Sequence, residues 1–84
     1  MNASQIRMLR KPEVLKARGR GHAAHYNDIA CGLMTEPVRI GAQSVAWPDY
    51  EVDAINRARI AGKSDEEVRR LVAELHAMRK VVAA

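Results

Sequence analysis

The sequence is poor in the residues that staple small domains. Its 84 residues contain one cysteine, Cys31. A single thiol excludes an internal disulfide framework and a four-cysteine zinc site. Phenylalanine is absent, and the aromatic residues are Tyr26, Trp47 and Tyr50. A core without phenylalanine must be built from Val, Ile, Leu, Met and Ala, which favours helices over a large sheet. No run approaches the roughly 18 consecutive apolar residues of a membrane-spanning helix, and Met1 to Arg10 has no apolar stretch of signal-peptide length. A soluble protein in a reducing, cytoplasmic setting is therefore expected. Glycine-rich phosphate loops, nucleophile motifs and paired catalytic acids are also missing, and so short a chain leaves little room for a substrate cavity. We expect neither an enzyme nor a cofactor. His22, His25 and Cys31 lack a fourth ligand and a standard spacing, so no metal is expected.

What is present reads as one small globular domain over 1–84, with 48% hydrophobic and 29% charged residues. A chain of this size buries only about 60% of its unfolded surface and so needs tight packing, a partner, or both. The net charge is +4 and is unevenly placed. Residues 1–47 carry seven Lys and Arg against three acids, whereas residues 48–84 carry seven of each. One-sided positive charge is a footprint of nucleic-acid binding; a surface tuned for solubility is the plainer reading.

Residues 1–8 read as a frayed lead-in. Pro12 suits the first position of a helix carrying Val14, Leu15, Ala17 and Arg18. Gly19-Arg20-Gly21 then forces a turn. Residues 22–31 continue as a second helix that Gly32 caps. Helix, short glycine turn, helix is the helix-turn-helix pattern. Val38, Ile40, Val45 and Trp47 alternate about Gly41-Ala42-Gln43 and predict a hairpin with one apolar face. Pro48 opens a third helix with Asp49, Glu51 and Asp53 near its start and Val52, Ile55, Ala58 and Arg59 on its inner face. Ser64 to Glu67 is a capping box leading a fourth helix with Val68, Leu71, Val72, Leu75 and Met78 on one stripe. That stripe either folds back onto the core or packs against a second copy. The expected class is mainly α with a small β-hairpin: a winged helix-turn-helix over 9–61 plus a C-terminal helix over 63–83.

Val14, Leu15, Gly19, Tyr26, Gly32 and Leu33, followed by Pro37-Val-Arg-Ile-Gly-Ala-Gln-Ser-Val-Ala-Trp47 and Val52, carry a resemblance. Over Leu9 to Ala61 the chain resembles the AlpA family of phage and mobile-element regulators, winged-helix proteins related to excisionases and to the DNA-binding half of MerR proteins. The sequence departs from the family pattern at Arg20, His25, Gln43 and Met34-Thr35. The resemblance implies base reading from the start of the second helix, at Gly21, His22, Ala23 and Asn27. Asn27 can pair bidentately with adenine, and Ala23 can meet a thymine methyl. It also implies that the Tyr26 hydroxyl reaches a phosphate while the ring packs on the first helix; core packing alone is the alternative. Arg10, Lys16, Arg18 and Arg20 are phosphate candidates. Arg39 is placed for the minor-groove edge, and Gln43 and Ser44 for phosphates at the wing tip. Trp47 and Cys31 are expected in the core, and His25 half-buried or facing a partner.

The implied function is sequence-specific binding of double-stranded DNA by a mobile-element protein. It would act as an excisionase (recombination directionality factor), as a transcriptional regulator, or as both, and would be nucleoid-associated when bound. The implied partners are duplex DNA, a tyrosine or serine recombinase acting as integrase, and a second copy met on DNA or through the C-terminal helix. The alternative is a protein-interaction adaptor or anti-repressor on the same scaffold.

Overall fold

The computed structural model describes residues 5–82; the expectations for residues 1–4 and 83 lie outside that range. The elements are β1 (Met8–Leu9), α1 (Lys11–Arg18), α2 (His22–Ala30), β2 (Val38–Arg39), β3 (Val45–Pro48), α3 (Asp49–Ile60) and α4 (Asp65–Val82). The chain is mainly helical with a small antiparallel sheet, as its composition implied.

The turn between α1 and α2 is set by Gly19, whose φ of 67° lies in the left-handed region. There the Gly19 and Arg20 amides fold back onto the carbonyls of Lys16 and Leu15. This satisfies two of the carbonyls that a helix end leaves free. Gly32 does the same for α2, with the Leu33 amide 2.7 Å from the Asp28 carbonyl. Pro12 occupies the second position of α1 rather than the first.

The lead-in is not frayed throughout. Met8 pairs with Pro48 and Leu9 with Trp47, which makes β1 the third strand of a sheet ordered β1-β3-β2. A two-residue strand has no readable period, and it forms here because β3 offers an unpaired edge. The hairpin register also corrects the single apolar face. Val38 lies opposite Ala46 and Arg39 opposite Val45, and the Ile40 amide donates to the Ser44 carbonyl across the three-residue tip. Cross-strand partners share a face. Val38 and Ile40 therefore lie on one face, and Val45 and Trp47 on the other. Leu9 and Trp47 point into the core, whereas Met8, Val38 and Pro48 line an open apolar groove with Tyr50 and Val82.

The core gathers Leu9, Val14, Met34, Trp47, Val52, Ile55, Ala58, Val68, Val72 and Leu75. Trp47 is fully buried and donates from Nε1 to the Thr35 carbonyl at 2.9 Å. Helix α4 folds back onto this core through Val68, Val72 and Leu75, as the first reading of its stripe has it. Its side chains also hold the connector before the wing. His76 Nε2 accepts from the Glu36 amide, and Arg79 donates to the Glu36 carbonyl and to both oxygens of Glu51. Glu51 is not a solvated helix-start acid but is fully buried, so its charge needs Arg79. The capping box forms as read, with reciprocal bonds between Ser64 and Glu67. Beyond Leu75 the stripe leaves the core: Met78, Val81 and Val82 are exposed. Arg59 points outward to Asp65 instead of inward.

Candidate nucleic-acid interface

Helix α2 rests its inner side on the sheet and α1 through His25, Asp28 and Ile29. With these turned inward, the 3.6-residue period exposes His22, Ala23, Asn27 and Ala30 on one stripe. Gly21 precedes the helix in extended conformation and offers no side-chain cap, and the first turn of α2 has no acid. The positive end of the helix dipole therefore faces outward without a compensating charge. Thus Gly21, His22, Ala23 and Asn27 share one accessible surface.

A chain of contacts joins this surface to the wing. The His22 and Tyr26 rings lie 4.9 Å apart, and the Lys11 ammonium sits 5.6 Å from the Tyr26 ring centroid. The residue before Lys11, Arg10, donates from Nε to the Val45 carbonyl at 3.1 Å. Val45 pairs with Arg39. Arg39 is exposed and folds its guanidinium toward the Ala42 carbonyl at the tip, beside the exposed Gln43 and the half-buried Ser44. Tyr26 is half-buried, with its ring edge-on to His25. Among the described residues, Arg10, Lys11, Lys16 and Arg39 have no ion-pair partner, whereas Arg7 is paired with Glu13. The front-half charge excess is thus presented largely as free cations along α1 and the wing.

Arg18 is placed differently from its expected role. Its side chain is buried and donates to Asp28 at 2.9 Å and toward His25 Nδ1 at 2.8 Å. It cannot reach a phosphate and instead fixes α2 against α1. Desolvation by burial pulls its pKa below the usual arginine value, with the Asp28 carboxylate opposing that effect. Arg20 also binds Asp28, through Nε and Nη2 at 3.0 and 2.8 Å, yet remains partly exposed. The cost of burying Asp28 is outweighed by hydrogen bonds from Arg20 and Arg18, which hold its carboxyl below the ordinary aspartate value.

His25 is fully buried, not half-buried, and packs edge-to-face with Trp47 at 4.9 Å. Because Arg18 can only donate, Nδ1 must accept and the ring must be neutral. Burial, reinforced by the Arg18 charge, pushes its pKa down to about 4. Cys31 is exposed at the end of α2 rather than in the core; its carbonyl receives Arg69 Nε at 2.9 Å.

Two contributors escaped the sequence. Lys11 lies fifteen positions from Tyr26, and only the turn of the chain brings them together. Asp28 did leave a signal, being the sole acid between Glu13 and Glu36. A lone acid in a basic helix pair is a natural ion-pair partner for its cations.

The chain is similar to a protein of Enterobacteria phage P4, "Uncharacterized protein ORF88", with 38% identity over 60 residues, covering 71% of this chain and 68% of that protein. The chain belongs to the ORF88 family. Membership makes it a small phage-type or mobile-element protein. No model of a known protein family matches it, and no solved structure does. No helix among the described residues is long and apolar enough to cross a membrane.

Proposed function

We propose that this ORF88-family chain is a sequence-specific double-stranded DNA-binding protein, not an enzyme, that serves a mobile element as excisionase, transcriptional regulator, or both. Helix α2 enters the major groove, which is wide enough for one helix, and the hairpin wing lies on the backbone or minor groove beside it. The observation that carries the reading is the exposed face of His22, Ala23 and Asn27, with the Lys11 ammonium next to it over the Tyr26 ring and with Arg10, Lys16 and Arg39 free of ion pairs among the described residues. Groove entry requires a slim helix face, and affinity requires free positive charge around it. The resemblance to AlpA regulators supports the same reading, and the phage relative supports the mobile-element setting.

In the excisionase role an integrase is the natural protein partner. Self-association would use the exposed Met78, Val81 and Val82 at the end of α4. These apolar side chains also keep the adaptor reading in play.

Selection of random duplexes by the purified protein, followed by a salt titration of the winners, tests the proposal. The expected result is an enriched motif whose affinity falls steeply with salt. Closely spaced direct repeats would favour an excisionase, and an inverted repeat a dimeric regulator. No enrichment, with weak binding even at low salt, would refute DNA reading in favour of the adaptor.

A further inference from the structure

We propose that the outer face of the sheet, together with the last turns of α4, is a self-association surface that receives the same face of a second copy. From one side of the sheet Leu9 and Trp47 point into the core, where His25 of α2 packs on Trp47. From the other side Met8, Val38 and Pro48 line a groove that Ile6, Tyr50 and Val82 complete. Ile40 continues that face two residues beyond Val38, and Met78 continues it one turn before Val82 on α4. Ile6, Met8, Ile40, Met78, Val81 and Val82 are each between 40% and 69% exposed. Among the described residues they are all of the exposed large hydrophobic side chains except Ile60, which ends α3 far from the groove. Apolar residues scattered singly over a surface need no explanation, but a contiguous set marks an interaction site.

The area and the charge of this face name the occupant. The six residues together expose roughly 500 Å² of surface, near the upper end of what a monomer leaves in one apolar patch. A stable pair of small proteins takes about 800 Å² from each partner, somewhat more than half of it apolar, and the patch meets that demand. Arg79, the charged side chain at the groove, is taken up by both Glu51 oxygens and the Glu36 carbonyl. The groove therefore presents no uncompensated charge. Lys11 and Arg39 lie on the opposite side of the sheet, Lys11 over Tyr26 of α2 and Arg39 on the Trp47 face through its pairing with Val45. Two chains of net charge +4 can thus meet groove to groove with these cations held apart. A surface that is apolar and neutral is its own complement, as a two-fold contact requires. A small ligand would need convergent polar groups to orient it, and Arg79 is already engaged. The pairing adds the sheet face to the α4 end named above, stands on the patch rather than on DNA binding, and leaves His22, Ala23 and Asn27 of both copies uncovered.

Sedimentation equilibrium over a concentration series tests the pairing, under reductant so that the exposed Cys31 cannot link two chains. The expected result is a monomer–dimer equilibrium with a dissociation constant of about 1–100 µM. Added salt should not weaken it, because the contact is apolar and screening reduces repulsion between the two chains. Val82→Glu and Met8→Glu each place an acid on both sides of a two-fold contact and should weaken the dimer about tenfold or more. Ile60→Glu removes an exposed apolar side chain away from the patch and should leave the dimer unchanged. Val82 stands exposed in the last turn of α4, so Val82→Glu serves even if Met8→Glu does not fold. A dimer indifferent to the groove variants, a dimer equally weakened by Ile60→Glu, or assembly that grows beyond two chains would each overturn the inference. So would a chain that stays monomeric at about 1 mM; saturable uptake of an apolar dye by that monomer would give the groove to a partner of different sequence. DNA binding is read separately by fluorescence anisotropy. Salt-dependent binding by a strictly monomeric chain would overturn the pairing and leave the DNA reading standing. A groove-dependent dimer without DNA binding would support the pairing and overturn the DNA reading.

Discussion

Acid should unfold this protein through one buried histidine. His25 accepts a hydrogen bond from the Arg18 guanidinium at 2.8 Å and is fully buried against Trp47. A protonated ring would set donor against donor and leave a second positive charge beside Arg18. Burial and that charge lower the folded-state pKa from the ordinary 6.5 to about 4. The unfolded chain therefore binds the proton more readily, and stability falls with pH between those two values. The contribution is complete above about pH 6.5 and is lost progressively down to about pH 4. Between pH 7.5 and 5 the loss should be about 2 kcal/mol, since a tenfold difference in proton affinity between the folded and unfolded chain is worth about 1.4 kcal/mol. For a domain of this size that is a large share of total stability, equivalent to roughly 8–16 °C in Tm. Below that window the Asp28 carboxylate, whose pKa is also held low, adds a further loss as it protonates. Urea denaturation followed by Trp47 fluorescence at the two pH values measures the effect. The His25→Gln variant, less stable at pH 7.5, should lose most of the pH dependence. Wild-type stability that stays level between pH 7.5 and 5, or an undiminished slope in His25→Gln, would refute the reasoning.

Truncating the buried acid in Glu51→Ala should cost about 3–5 kcal/mol in urea denaturation, because it strands Arg79 and loosens α4 from α3. Ser64→Ala should cost about 1 kcal/mol and speed amide exchange in the first turn of α4, where the cap bonds are. Lys11→Ala and Arg39→Ala should each weaken duplex binding uniformly across sequences and lower the salt slope by about one, as read in a titration of fluorescence anisotropy. Asn27→Ala should instead relax preference at one base pair, with a discrimination loss of about 1–3 kcal/mol in repeated duplex selection.

The readable parts of this molecule were those set by local chemistry. Gly19 and Gly32 marked helix ends because only a residue without a side chain takes up positive φ freely. Ser64 and Glu67 marked a helix start because their side chains bond the nearest free amides. The period of α4 marked Val68, Val72 and Leu75 as core. Gly21, His22, Ala23 and Asn27, which the resemblance rather than local chemistry implied as readers, are all exposed. Hairpin faces were less legible, since a two-fold period alone does not give register. A three-residue tip shifted Val38 to the face opposite Trp47.

The amino-acid sequence by itself determined the number of helices, their ends, the turn between α1 and α2 and the placement of excess charge in the front half. The charge follows from composition, and the rest from interactions between residues a few positions apart. Tertiary structure alone decided which charges remain free. Arg18 and Arg20 look equivalent in the chain, yet one is buried on Asp28 and the other stays partly in solvent. Glu51 and Asp49 both suit a helix start, yet only Glu51 is buried and meets an arginine 28 positions away. The fate of a charge depends on the dielectric around it and on the partner that the fold delivers, and neither is a property of its neighbours in sequence.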